Sequence, residues 1–386
     1  MVQAPAAPHL APSRQDAPRL SPVKLFEERP NGKQRLWVPK RILVTRSAAG
    51  SEIAKHAAER GAALGAEIIH LKGDQVRGLR GETEVETYRR AKSTLAIVNA
   101  PPSALKLQPI PPSADFRLDL AVGCPAHCQY CYLAGSLQGP PVTRAYANLD
   151  EILSVLPSYL GQGRITSRSD ARSHEGTTFE ASCYTDPLGI EHLTGSLSRT
   201  IEHFASWNRE GAEAGLRFTT KYAEVEPLLA LDHGGRTRVR FSVNAEAITR
   251  RFEGGTAPLQ DRLHAMGRLA RAGYPVGLTI APIMPIQDWP EAYGDLFRKA
   301  AAELPQDADV TAELITHRFT PGSREVLMGW YPATKLEMDP AVRAQKRNKF
   351  GGVKYVYPKE LMGEMKAWFA SAVAEHLPNA QLLYWT

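Results

Sequence analysis

Short apolar runs alternate with longer amphipathic stretches along most of this chain. Near its start, Ile42-Leu43-Val44 reads as a strand, Ser51 to Leu64 as a helix and Ile68-Ile69-His70-Leu71 as a second strand, with Leu95 to Val98 extending a small α/β unit. The Pro-rich stretch Pro101 to Pro112 then interrupts regular structure and marks a linker. Beyond it come six candidate parallel strands: Phe116 to Val122, Thr178 to Ser182, Leu216 to Thr220, Val239 to Val243, Val276 to Ala281 and Val310 to Thr316. Leu193 to Trp207, Leu259 to Ala272 and Trp289 to Leu304 are long enough to be the crossover helices that parallel strands require. The expected fold is α/β, a partial (β/α)6 barrel. Toward the C-terminus, Lys346 to Tyr357 reads as two short strands joined at Gly351-Gly352, a hairpin, with a helix to follow.

This pattern divides the chain into a Pro/Ala-rich tail (1–36) expected to be disordered, a small N-terminal α/β domain with its linker (37–112), and the barrel with its C-terminal hairpin (113–386). The 386 residues are 43% hydrophobic, ample for a buried core. The tail has no signal-like apolar stretch, and no segment approaches the roughly 18 apolar residues of a spanning helix, so a cytoplasmic protein without a membrane partner is expected. A net charge of +6 permits a polyanionic partner, although a solvated basic face explains it as well.

Chemistry enters with the cysteines. Three of the four, Cys124, Cys128 and Cys131, fall within Gly123-Cys-Pro-Ala-His-Cys-Gln-Tyr-Cys-Tyr132. Thiolates at C-x3-C-x2-C spacing can bind three irons of a four-iron, four-sulfur cluster and leave the fourth iron open to an outside ligand. Cys183 either completes a four-thiolate site or stands apart as a reactive thiol. A structural zinc site is the weaker alternative, because Cys183 has no cysteine or histidine within four residues to make a second pair.

Barrel chemistry gathers where strands end. The candidate strands are followed in turn by Cys124; by Cys183, Thr185 and Asp186; by Lys221; by Asn244 beside Ser242; by Pro282 after Ala281; and by His317 with Arg318. In the hairpin, Lys346, Arg347, Lys349 and Lys354 lie beside Phe350, Tyr355 and Tyr357, so cations suited to phosphates alternate with rings suited to bases.

The cysteine run, with Tyr130 before its third cysteine, resembles the radical S-adenosylmethionine (AdoMet) signature. More narrowly, residues 38 to 386 resemble the spore photoproduct lyase family. The resemblance rests on Gly-Cys-Pro-Ala-His-Cys-Gln-Tyr-Cys-Tyr-Leu (123–133), Phe-Glu-Ala-Ser-Cys-Tyr-Thr-Asp (179–186), Gly-Ile-Glu-His-Leu-Thr (189–194), Arg-Phe-Ser-Val-Asn (240–244), Ala-Gly-Tyr-Pro-Val-Gly (272–277), Ala-Pro-Ile (281–283) and Lys-Phe-Gly-Gly-Val-Lys-Tyr-Val-Tyr (349–357).

The resemblance implies a radical AdoMet lyase that reverses a methylene-bridged thymine dimer in UV-damaged DNA. It implies a [4Fe-4S] cluster on Cys124, Cys128 and Cys131, and AdoMet lined by Thr185, Lys221, Ser242 and Ala281. Cys183 matches the family's hydrogen-atom donor, and Tyr130 and Tyr132 match tyrosines that return hydrogen to the cofactor. Lys346, Arg347, Lys349 and Tyr355 match its DNA-engaging hairpin. A monomer served by an electron donor such as flavodoxin or ferredoxin is expected.

The chain departs from the family pattern in its long Pro/Ala-rich start, in Tyr184, in Thr185 where a serine is more typical, and in a polar segment from Arg164 to Glu175, expected to be a flexible surface loop. These departures leave two further readings: a radical AdoMet enzyme acting on another lesion or modified base, and a nucleic-acid-binding protein whose metal site is structural.

Overall fold

The computed structural model describes residues 36–137, 139–347 and 351–386. Nearly all of the expected tail, together with Lys349 and Phe350, lies outside the described residues. The N-terminal unit runs β1 (Arg41–Val44), α1 (Glu52–Ala63), β2 (Glu67–His70), α2 (Glu84–Lys92) and β3 (Thr94–Val98). Ser51 starts α1 by accepting the Ala54 N–H at 3.1 Å, as an N-cap should. There follow β4 (Pro109–Ile110), β5 (Ala114–Arg117), β6 (Ala121–Val122), β7 (His127–Cys128), β8 (Thr143–Tyr146) and α3 (Leu149–Ser154).

The expected strand from Phe116 to Val122 is divided between two sheets. Phe116 and Arg117 pair with Phe179 and Glu180, whereas Ala121 and Val122 pair with Ala145 and Arg144. The N-terminal sheet therefore has the order β2-β1-β3-β8-β6 and draws strands from both sides of the Pro-rich stretch. This shared segment binds the two sheets together immediately before the cysteines.

The chain continues through β9 (Thr177–Glu180), α4 (Leu188–Thr194), α5 (Ser196–Arg209), β10 (Ala214–Thr220), α6 (Glu226–Leu229), β11 (Thr237–Val243), α7 (Glu246–Phe252), β12 (Glu253–Gly254), α8 (Leu259–Arg271), β13 (Val276–Ile283), α9 (Trp289–Glu303), β14 (Val310–Thr316), α10 (Pro321–Trp330), β15 (Ala344–Arg347), β16 (Val353–Val356), α11 (Lys359–His376) and β17 (Ala380–Trp385). β12 pairs with β7 and β15 with β16, each pair outside the large sheet. The order of the large sheet is β17-β14-β13-β11-β10-β9-β5-β4, parallel throughout except for β4. The sheet curls into an open half-barrel of eight strands. The sequence reading missed β17, a seventh parallel strand beyond the C-terminal helix. The expected helix from Leu193 to Trp207 is broken at Gly195, whose φ of 63° ends α4 before α5 begins.

Strand alternation explains the barrel's filling. Leu216, Phe218, Val239 and Phe241 are fully buried, while the intervening Arg217 and Arg240 face inward and meet on Glu313 of β14 at 2.8 and 2.6 Å. Arg240 also pairs with Glu180, and Arg217 with Glu175 at 3.3 Å. Arg172 completes this network by binding Glu175 at 2.7 Å. The segment from Arg164 to Glu175 is thus not a free surface loop: it delivers two charges to the interior, and its Thr166 backbone N–H bonds the buried Asp115 carboxylate at 3.0 Å.

Candidate active site

The cysteine loop leaves β6 at Gly123, whose φ of 90° and close approach to the Val142 carbonyl, 2.4 Å from where a Cβ would stand, leave no room for a side chain. Lys92 of α2 donates to the Cys124 carbonyl. Cys128 lies in β7, which pairs antiparallel with β12, and the Cys131 N–H turns back onto the Cys128 carbonyl at 3.2 Å. All four cysteines are free thiols. Burial raises Cys124 to about 11, against the opposing charge of Lys92, and raises Cys128 further. Among the described residues no group of three metal-ligating side chains is preassembled. The three thiols do share one short loop, the donor set a cluster requires, and binding would draw them in as thiolates.

Lys221, at the end of β10, is the hub of the barrel mouth. Its Nζ reaches the Tyr130 hydroxyl at 3.1 Å, Ser242 Oγ at 2.9 Å, Glu253 Oε1 at 2.9 Å and the Ala281 carbonyl at 3.5 Å. The Tyr130 hydroxyl donates to the same Glu253 oxygen. Arg262 approaches the other at 2.6 Å, an ion pair whose angle falls outside hydrogen-bond geometry. Burial alone would raise the Glu253 carboxyl, but Arg262 and Lys221 outweigh it and hold it at about 2. At the end of β13 the register slips between Ile280 and Ile283. Asn244 holds that bulge through the Pro282 carbonyl at 2.7 Å, and this places the Ala281 carbonyl at the mouth.

Cys183 follows β9. The next residue, Tyr184, accepts the Gly123 N–H at 2.8 Å, which ties the Cys183 segment to the cysteine loop. Its ring lies 4.6 Å beneath the Arg117 guanidinium, and Arg117 binds Asp119 at 2.9 Å. Burial, then the Asp119 charge, push the Cys183 thiol up to about 12, so it is a protonated S–H at neutral pH. Asp186 accepts the Lys221 N–H at 2.7 Å. The Thr185 hydroxyl and Asp186 Oδ1 are buried without a partner among the described residues, polar capacity a bound ligand would satisfy.

The structure gathers Tyr130, Lys221, Ser242 and Ala281 around one ammonium group. Tyr132 stands apart, 75% exposed at the surface. In the hairpin, Lys346 and Arg347 are exposed, and Lys346 pairs across the ladder with Lys354. Burial, Arg318 and Lys346 together depress Lys354, so three cations crowd one end of the barrel. Tyr355 is used differently from the lysines: its ring stacks on Phe319 at 5.2 Å and its backbone pairs with that residue, anchoring the hairpin to the barrel.

Sequence reading missed Glu253 and Arg262, which arrive through the α7–β12 turn and α8. The local signal was Gly254-Gly255. Gly255 has a φ of 70°, and a Cβ there would lie 2.9 Å from His127. Only the fold reveals what that close approach serves.

An open α/β barrel, a three-cysteine loop and a lysine-centred mouth together define a radical AdoMet enzyme. Comparison is more specific: the family model described as spore photoproduct lyase matches residues 37–386. The spore photoproduct lyase of Bacillus subtilis (strain 168) is 41% identical over 316 residues, 81% of this chain and 88% of that protein. That of Geobacillus sp. (strain Y412MC61) is 38% identical over 353 residues, 91% of this chain and 99% of its own. A solved spore photoproduct lyase variant with bound AdoMet and dinucleoside spore photoproduct superposes with a TM-score of 0.82 at 36% identity, covering 91% of this chain and 99% of that one. The chain belongs to the spore photoproduct lyase family.

Proposed function

We infer that this chain is a DNA-repair lyase that converts the spore photoproduct, a methylene-bridged thymine pair, back to two thymines. The observation that carries this reading is the convergence at one barrel mouth of the cysteine loop, the Lys221 hub and the Cys183 segment, the last two joined to the first through Tyr130 and Gly123. Cys124, Cys128 and Cys131 would hold a [4Fe-4S] cluster, with AdoMet beside Lys221, Ser242, Thr185 and Ala281. Bound together, these cofactors supply a 5′-deoxyadenosyl radical able to take hydrogen from C6 of the lesion.

The chain's own residues complete the reaction. Once the methylene bridge has opened, Cys183 breaks its S–H bond and gives that hydrogen atom to the thymine-derived carbon radical, forming the methyl C–H bond. A protonated thiol is what this step needs, and burial keeps it protonated. Tyr130, half-buried and bonded to Glu253 and Lys221, is placed to relay hydrogen back toward the cofactor, a role that exposed Tyr132 is less suited to. Lys346 and Arg347 would bind phosphates while the damaged pair is extruded toward the barrel, since a stacked lesion cannot reach it. A one-electron donor such as flavodoxin or ferredoxin would start each cycle, with the chain acting as a monomer in the cytoplasm. Among the described residues no helix is long and apolar enough to cross a membrane.

The test is anaerobic: reconstitute the cluster, add AdoMet and reductant to an oligonucleotide carrying the lesion, and quantify thymine by mass spectrometry. Restored thymine supports the assignment. AdoMet cleavage without repair would redirect it to another lesion, and an assembled cluster that cleaves no AdoMet would favour a structural metal site.

A further inference from the structure

One polar group of the N-terminal unit reaches into the cysteine loop. Tyr88 of α2 is 5% exposed, and its hydroxyl bonds Nδ1 of His127 at 3.0 Å. His127 stands between Cys124 and Cys128, so a restraint on its side chain bears on the segment joining two of the three thiols. The same hydroxyl meets the Tyr331 hydroxyl just beyond α10. The rings enclose each other: Tyr88 lies edge-on to His127 at 5.7 Å and to Tyr331 at 5.2 Å, with Trp330 at 5.0 Å.

Neighbouring contacts restrain the same loop. Lys92, four residues along α2 from Tyr88, holds the Cys124 carbonyl. Thr334 donates to the Gln129 side chain at 2.5 Å, and Gly255 closes on the imidazole from the β12 side. A buried tyrosine hydroxyl left without a partner is costly, and this one bridges two segments that nothing in the local sequence connects.

We propose that Tyr88 is a positioning residue for the cysteine loop, coupling the N-terminal unit to the cluster by holding His127 in one orientation. Groups that hydrogen-bond around a metal site fix its ligands and tune its electronic properties. The tuning half rests on the cluster assigned above; the restraint on the loop does not.

The full-length chain is therefore tested in two ways. In hydrogen–deuterium exchange of the metal-free protein, Tyr88→Phe should speed exchange across residues 124–131 about fivefold, the effect of losing one neutral hydrogen bond, while the thermal midpoint changes little. After anaerobic reconstitution, the same variant should bind iron normally and shift the electron paramagnetic resonance signal of the reduced cluster. Adding His127→Phe to Tyr88→Phe should produce no further change in the loop, since the bond between the two side chains is already gone. Tyr331→Phe, which keeps the bond to His127, should have the smaller effect and serves if Tyr88→Phe folds poorly. Unchanged exchange, or additive effects in the double variant, overturns the proposal. A wild-type chain that restrains the loop but takes up no cluster would instead overturn the functional reading.

Discussion

Lys221 and Glu253, 32 positions apart, meet at 2.9 Å across the barrel mouth, with Glu253 fully buried and Lys221 partly exposed toward the site. The lysine's charge is thereby fixed in place before any ligand arrives, and Ser242 and Tyr130 complete its coordination. Removing Glu253 strands two cations, whereas removing Lys221 leaves Glu253 still paired with Arg262 at 2.6 Å.

Lys221→Met should weaken AdoMet binding about ten- to a hundredfold, the range expected for a charge-assisted hydrogen bond. Glu253→Gln should act on the fold, costing about 3–5 kcal/mol by leaving Arg262 and Lys221 uncompensated in a buried site. Equilibrium dialysis with AdoMet and urea denaturation separate the two effects. Equal losses of affinity and stability in both variants would contradict this division.

The interior ion network makes a similar prediction far from the mouth. Glu313 accepts from both Arg217 and Arg240, and all three are nearly inaccessible to solvent. Glu313→Gln should destabilise the chain by about 3–5 kcal/mol. A change below about 1 kcal/mol in denaturant unfolding would show that the two arginines find other partners.

Glu191 gives a pH dependence. Burial lifts its carboxyl to about 7, against hydrogen bonds from Ser198 and Leu197 that lower it. Between about 4.5, its ordinary value, and about 7, the folded chain binds a proton that the unfolded chain has released. Stability contributed by this group is therefore present at low pH and lost as pH rises through that window, by up to about 3 kcal/mol. Glu191→Gln should flatten this part of the stability profile between pH 5 and pH 7.5. Parallel profiles for variant and wild type would refute the assignment.

For the hairpin, replacing Lys346 and Arg347 with Ala should weaken binding to lesion-bearing duplex and reduce the slope of log affinity against log salt by about 1.8, two phosphate contacts' worth. Repair of a free dinucleotide lesion should survive. Equal loss on both substrates would place these cations in the catalytic site itself.

Much of this was legible in the sequence because barrels advertise themselves locally. Apolar runs such as Val276 to Ile280 and their amphipathic partners set strand and helix positions, and the spacing of Cys124, Cys128 and Cys131 announced metal chemistry. What escaped depended on long-range meetings. Glu253 reaches Lys221 only through a turn packed on the cysteine loop, and Arg172 looked like surface charge because its near neighbour Glu175 is itself tied to Arg217 of distant β10 and its other partners are the Pro112 and Ser113 carbonyls, about 60 positions earlier. β17 was missed because an edge strand after a long helix carries little signal beyond Leu382-Leu383-Tyr384-Trp385. Tyr132 matched a motif, yet the turn that points Tyr130 at Glu253 and Lys221 two residues earlier directs it to solvent.

The central claim, that Cys183 gives the final hydrogen atom, is tested most directly by running the repair reaction in deuterated water. A thiol exchanges its hydrogen with solvent, so a restored thymine methyl should carry one deuterium, and Cys183→Ala should abolish that label while AdoMet cleavage continues. Thymine restored without deuterium, or labelled equally in Cys183→Ala, would contradict the account.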